Sequence, residues 1–312
     1  MENTILQLFP DRQRGFWQQV SACQKDIQEI RLRAYRPIVI HKGGRELFLD
    51  ADGSFTDSLS KARATRPEEL EGLMQHICHY SLYAFEEELR QGFVTVQGGH
   101  RVGVAGQAVL ESDGKLRSIK NISFMNIRIA HEIKGAADEI VPRMYGPEGL
   151  RSTLIISPPG CGKTTLLRDM IRQISDGNPW GKGMTVGVVD ERSELAGSFC
   201  GLPQNDIGMR TDVLDACPKE LGMFLLLRSM APQVIAIDEL GSRAEFDRLR
   251  SAAACGCRIL ATAHGAGMED VRRRFGVDKN EWTQLFDLFL LLEKRQGKCV
   301  IRASLVEGEE HA

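Results

Sequence analysis

No apolar run in this chain approaches the ~20 residues that a membrane-spanning helix needs. The longest runs, such as Phe286–Leu292, are far shorter. The opening stretch MENTILQLFPDRQRGFW carries charge too early and too often for a secretory signal. The expected location is therefore the cytoplasm, with any work at a membrane done by recruitment through a partner. Charge of one sign is not in excess either. Forty Lys and Arg against 42 Asp and Glu leave a formal net charge of −2. That balance argues against affinity built on neutralising nucleic-acid phosphates. The local triplet Arg272-Arg273-Arg274 reads as a solvated helix face. The eight cysteines are Cys23, Cys78, Cys161, Cys200, Cys217, Cys255, Cys257 and Cys299. They include no C-x-x-C pair and no zinc-finger spacing, and they read as reduced thiols. Internal repeats and low-complexity segments are also missing.

What remains is an ordinary globular mixture, 42% hydrophobic and 26% charged over 312 residues. That length suggests two domains. The first third mixes both periodicities. Ile27–Arg33 alternates, and Pro37–Ile40 continues as an extended edge. Leu70, Leu73, Met74 and Ile77 fall at helical spacing within Pro67–Cys78, with Thr65 as the expected helix start. Phe93–Val96 and His100–Ala105 flank Gly98-Gly99, a hairpin signal, and Ile119–Ile129 alternates again. Beyond about residue 130 the pattern changes. The short apolar runs Thr153–Ile156, Thr185–Val189, Val234–Ile237 and Arg258–Ala261 are separated by helical stretches at Lys163–Ile174, Lys219–Met230 and Ala244–Ala254. Alternation of this kind predicts a parallel sheet covered on both faces. Leu288–Glu293 and Lys298–Leu305, flanking Gln296-Gly297, predict an antiparallel hairpin at its edge.

In such a sheet ligands bind beyond the carboxyl ends of the strands. The first of those ends runs into SPPGCGKTTLL, Ser157–Leu167. This is the phosphate-loop pattern G-x-x-x-x-G-K-[ST] with Ser157 in place of the first glycine. Pro159, Gly160, Cys161, Gly162, Lys163, Thr164 and Thr165 are the expected cradle. Backbone N–H groups at a helix start face the anion, Lys163 meets the β- and γ-phosphates of ATP, and the Thr164 hydroxyl suits Mg²⁺. Ser157 lies upstream of the cradle, and Pro158-Pro159 stiffen its entry, so nucleotide binding is expected. The second strand ends in DERSE, Asp190–Glu194, whose three carboxylates point to a role near Mg²⁺ or water. The third, VIAI, runs into Asp238-Glu239, a Walker B pattern. Asp238 is the expected metal-side carboxylate and Glu239 the residue that orients or deprotonates the attacking water. The fourth ends in Thr262-Ala263-His264-Gly265, which places His264 to contact the γ-phosphate.

Taken together, the four strand ends resemble the secretion ATPase superfamily, whose members carry a phosphate loop, an acidic box, a Walker B and a histidine box in this order. DERSE matches the acidic box, with Glu194 at its final glutamate. Leu227–Phe246 matches the stretch through Walker B, and Ala261–Gly267 matches the histidine box. Gly208–Gly265, His100–Leu110 and Asn121–Ala130 narrow the resemblance to a branch from endospore-forming bacteria, encoded with the mother-cell half of the forespore channel. The resemblance implies an α/β fold: a RecA-like P-loop NTPase domain with a mostly parallel sheet over 131–312, after a smaller α+β domain over 1–130. It implies a Mg²⁺-dependent ATPase acting as a ring, a hexamer, docked on a membrane-embedded secretion-platform protein. The implied output is assembly of, or transport through, the channel between mother cell and forespore. Glu239, Glu194 and His264 are then catalytic.

Phosphoryl transfer also calls for a further cation. Arg228, where the family carries an arginine, is the first candidate, acting from a neighbouring subunit, and Arg210 is the second. Arg101 and Arg128 read better as surface ion pairs. The alternative is an assembly scaffold that binds ATP with negligible hydrolysis. Retention of Glu239, His264 and Glu194 favours the enzyme, since a scaffold has no chemical need of them. A nucleic-acid translocase is disfavoured by the charge balance and by the lack of an aromatic–basic tract.

Overall fold

A computed structural model describes residues 4–79, 81, 85–295 and 298–306. The chain divides into two compact units. One comprises residues up to His131 together with Gly197–Gln204. The other comprises Glu132–Ala196 and the chain from Asn205 onward.

The first unit begins with helices α1 (Thr4–Gln7) and α2 (Arg14–Ala22), followed by strands β1 (Ile27–Arg33), β2 (Val39–Lys42), β3 (Arg45–Leu49) and β4 (Phe55–Thr56). Helices α3 (Pro67–Ile77) and α4 (Glu86–Arg90) lead into strands β5 (Phe93–Val96), β6 (His100–Leu110) and β7 (Leu116–Arg128). The strands form one antiparallel sheet in the order β4-β3-β2-β1-β7-β6-β5. Alternation in β1 puts Ile27, Ile30 and Leu32 into the core with Leu70, Leu73, Met74 and Ile77 of α3. Two expectations shift. β2 is interior, paired on both sides, and is not an edge. Helix α3 is capped by Arg66, whose N–H donates to Glu69 at 2.9 Å. Thr65 instead pairs its backbone with Tyr35 and Arg36. The excursion Gly197–Gln204 belongs to this unit because Phe199 packs on His79 and Phe85 and Gln204 accepts the Gly98 N–H at 2.9 Å.

The second unit opens with the short strands β8 (Tyr145–Gly146) and β9 (Gly149–Leu150). Then come β10 (Thr153–Ser157), α5 (Lys163–Asp176), β11 (Val186–Asp190), β12 (Thr211–Asp215), α6 (Lys219–Ser229), β13 (Val234–Ile237), α7 (Arg243–Ala254) and β14 (Arg258–His264). The chain continues through α8 (Met268–Phe275), α9 (Lys279–Leu285), β15 (Leu288–Arg295) and β16 (Lys298–Val306). The main sheet runs β12-β11-β13-β14-β10-β15-β16. Every pairing in it is parallel except β15 with β16. The turn expected at Gln296-Gly297 lies outside the described residues. Neighbouring strand residues enter opposite cores, as a sheet covered on both faces requires. Ile155, Val188 and Ala236 pack with α5, while Ile156, Val189 and Ile237 pack with α6, α7, α8 and α9.

Trp282 of α9 anchors the second of these cores. It is fully buried and meets Phe246, Phe275, Phe286 and Phe289 at centroid distances of 5.5 to 6.2 Å. Trp282→Ala is expected to cost about 3–5 kcal/mol, read from the denaturant midpoint. A change under about 1 kcal/mol would mean that this face is not packed as described.

Candidate active site

Parallel register decides which residues meet. Ser157 stands opposite His264, Ile237 opposite Ala261, and Val189 opposite Ile237. The phosphate loop, Asp238-Glu239, the acidic segment after Asp190, and His264 therefore all lie at the carboxyl ends of the strands.

In the phosphate loop Gly160 and Gly162 have φ of +72° and +76°, a left-handed conformation that glycine adopts without strain. Nothing crowds a Cβ at Gly160, so conformation and not space demands glycine there. Gly162 caps α5, whose first turn holds Lys163, Thr164 and Thr165, and the positive end of that helix suits an anion. Pro159 is exposed, and Cys161 is buried in the core beneath the loop. Ser157 is buried, and its hydroxyl donates to the Pro158 carbonyl at 2.8 Å. Lys163 is also buried. Its Nζ lies 3.4 and 3.3 Å from the carbonyls of Ser157 and Pro158 and 2.9 Å from His264 Nδ1.

The Thr164 hydroxyl donates to Asp238 Oδ2 at 2.5 Å. Thr262 donates to Asp238 Oδ1, and its own hydroxyl oxygen accepts the Glu239 N–H at 2.8 Å. A hydroxyl and a carboxylate side by side are hard oxygen donors, the set that Mg²⁺ takes alongside phosphate oxygens and water. Among the described residues no larger His, Cys, Asp and Glu cluster offers itself to a metal.

Glu239 has φ of +57°, strained for a residue with a side chain. Lys219 Nζ holds its carbonyl at 2.9 Å, which helps to keep the backbone there. The carboxylate is shared. Oε1 lies 2.8 Å from His264 Nε2, and Oε2 lies 2.5 Å from Arg192 Nη1. Burial acts to raise the Glu239 carboxyl, but the His264 hydrogen bond and the charges of Arg192 and Lys163 outweigh it, so its pKa is lowered. With Lys163 protonated, His264 Nδ1 is the acceptor, which leaves Nε2–H to donate to Glu239. The imidazole thus joins the phosphate-loop lysine to the Walker B glutamate.

The acidic loop is less uniform than its sequence. Asp190 is buried and accepts the N–H groups of Glu194 and Ala196 at 2.9 and 2.8 Å. Burial pushes its carboxyl up to about 6, against those hydrogen bonds. Its carboxylate therefore organises the loop and does not line the site. Glu191 pairs with Lys219 at 3.0 Å. Glu194 is held by its backbone, its carbonyl accepting from Arg168 at 2.6 Å.

The arginines expected to assist from a neighbouring subunit have partners of their own. Arg210 Nη1 donates to the carbonyls of Ser175 and Asp176 at 2.8 and 3.3 Å and so closes the carboxyl end of α5. Fourteen residues of helix, about 20 Å, separate it from the phosphate loop, so a part in its own site is ruled out. Arg228 is exposed on α6 with its guanidinium over Phe224, 5.2 Å from the ring centre. Arg101 lies over Phe93, and it pairs in register with Arg128 in the first unit. Sequence reasoning passed over Arg192, Lys219, Thr262 and Arg168. Of these Arg192 had a signal, a cation inside an acidic box.

Two measurements follow from this geometry. Ser157→Gly is expected to change nucleotide affinity by less than ~1.4 kcal/mol, a tenfold factor, since the substitution removes only a hydroxyl that donates to the Pro158 carbonyl upstream of the cradle. A larger gain would mean that the serine damages the site. Asp190 titrates near 6 when folded against 3.8 as its ordinary value. Between these values the unfolded chain has lost the proton that the folded chain keeps, so Asp190's contribution to stability falls as pH rises through that window. Relative to Asp190→Asn, the parent should lose about 1–3 kcal/mol between pH 4 and 7. A difference independent of pH would contradict the burial argument.

Residues 1–308 match the family described as sporulation stage III, protein AA. Stage III sporulation protein AA of Bacillus subtilis (strain 168) is 36% identical over 296 residues, covering 95% of this chain and 92% of that protein. The X-ray structure of the Legionella pneumophila ATPase DotB matches with a TM-score of 0.60 at 18% identity, over 93% of this chain and 80% of that one. The pilus retraction motor PilT with bound ADP matches with a TM-score of 0.60 at 18% identity, over 93% and 82%. These likenesses establish the RecA-like fold of the secretion and pilus ATPases. On the match along nearly its whole length, the chain belongs to the sporulation stage III, protein AA family.

Proposed function

We propose that this chain is a Mg²⁺-dependent ATPase that powers assembly of, or transport through, the channel joining mother cell to forespore. The observation that carries the reading is the single contact chain Lys163–His264–Glu239, set beside the Thr164–Asp238 pair. In this reading Gly160, Gly162 and the first turn of α5 receive the phosphates, and Lys163 turns from His264 to the β- and γ-oxygens. Thr164 and Asp238 would hold Mg²⁺, which would offset charge on those oxygens. Glu239 aligns a water whose oxygen attacks the γ-phosphorus. The bond from that phosphorus to the β-bridging oxygen breaks, ADP leaves with the bond's electron pair, and Glu239 takes the water's proton. His264 couples the lysine to this base. Glu194 stands as the second carboxylate of the site.

The chain acts in a ring, a hexamer, at the cytoplasmic face of a membrane-embedded platform protein. No helix among the described residues is long and apolar enough to cross a membrane, which fits recruitment by such a partner. Arg228, exposed on α6, stays free in this reading to reach a neighbouring subunit.

Lys163→Ala is expected to abolish Mg·ATP binding in calorimetry, and unchanged affinity would sink the assignment. Glu239→Gln is expected to keep binding while phosphate release falls about 100-fold or more. Turnover like the parent's would move the base to Glu194. A parent that binds nucleotide and releases no phosphate would be the assembly scaffold.

A further inference from the structure

The γ-phosphoryl group spreads charge over three oxygens as it transfers. In the proposed ATPase, Lys163 is the one protein cation that the phosphate loop itself supplies. Arg210 is committed to the end of α5, and Arg228, exposed on α6, is kept in that reading for a neighbouring subunit. Three other cations gather at the acidic loop and Glu239. Arg168 holds the main-chain carbonyls of Glu194 and Leu195. Lys219, nearly buried, holds the Glu239 carbonyl and the Glu191 carboxylate. Arg192 is different. Its side chain is 60% exposed, and it rests on Oε2 of Glu239.

We propose that Arg192, which pairs with Glu239, is the second cation for the γ-phosphate of a nucleoside triphosphate and acts within its own subunit. This rests on the nucleotide reading above. Three observations carry it. Arg192 adjoins Lys163 through one histidine and one carboxylate, so a triphosphate tail met by Lys163 has its end beside Glu239 and Arg192. The loop backbone next to Arg192 is fixed: Ser193 is left-handed at φ of +52° with its hydroxyl on Asp215 at 2.8 Å, and the Glu194 N–H is on Asp190. Only the side chain need move. Finally, an ion pair this exposed adds little to stability, so fold stability does not account for it and exchange costs little. The guanidinium fork suits phosphate as well as carboxylate. Moving from one to the other brings positive charge to the γ-oxygens and frees Oε2 of Glu239 to accept from water.

The test is calorimetric binding of Mg·ADP and of Mg²⁺ with a non-hydrolysable β,γ-imido ATP analogue. It uses the full chain, Arg192→Ala and Arg192→Lys. Arg192→Ala should weaken the triphosphate analogue about tenfold or more and ADP less than twofold, and Arg192→Lys should restore part of the loss. Equal weakening of both nucleotides, or of neither, overturns the proposal. A parent that binds neither nucleotide overturns the nucleotide reading and this inference with it. Mixing Arg192→Ala with Glu239→Gln subunits should restore no hydrolysis, because both defects lie in the same site. Recovery on mixing would place Arg192 across a subunit boundary and overturn action within the subunit.

Discussion

Ser157 faces His264 and Ile237 faces Ala261 because β10, β14 and β13 run parallel and in register. Every polar contact of the site depends on that. A slip of one residue between β10 and β14 would send their side chains to the opposite face and separate Lys163 from His264. The register is held by packing on both sides of the sheet. Ile155 and Ile156 enter different cores, as do Ala236 and Ile237. The apolar runs that identify the strands are thus also what aligns the chemistry, although no polar residue of the site lies within them.

At the ends of those strands, donors and acceptors meet in series. A buried ammonium meets an imidazole, the imidazole meets a carboxylate, and the carboxylate meets an exposed guanidinium. Each buried charge has a partner, as burial demands. The left-handed Glu239 is the strained link, restrained by the Thr262 hydroxyl on its N–H and by Lys219 on its carbonyl. Strain of this kind persists where the surroundings over-determine it. An anion drawing Lys163 away changes what His264 can accept, and through His264 what Glu239 can do. In the proposed ATPase, occupancy of the phosphate loop and the state of Glu239 are therefore linked through one ring.

Much of this was legible in the residues alone. Four apolar runs appear as β10, β11, β13 and β14, and Gly160 and Gly162 take the backbone that a phosphate loop needs. What escaped has physical causes. β12, with TDVLD half-exposed throughout, is an edge strand with no continuous apolar run. Gly197–Gln204 clusters with the first unit through contacts far apart in sequence. The acidic box reads as three equivalent carboxylates, yet the loop folds Asp190 inward onto two N–H groups and pairs Glu191 with Lys219. Side-chain partners set by loop conformation carry no period that a sequence could display.

The most direct measurement of the central claim is phosphate release from Mg·ATP by the parent chain, followed over a wide range of protein concentration. The account predicts metal-dependent release whose rate per subunit rises with concentration as rings form. Nucleotide binding with no release above background at any concentration would contradict it.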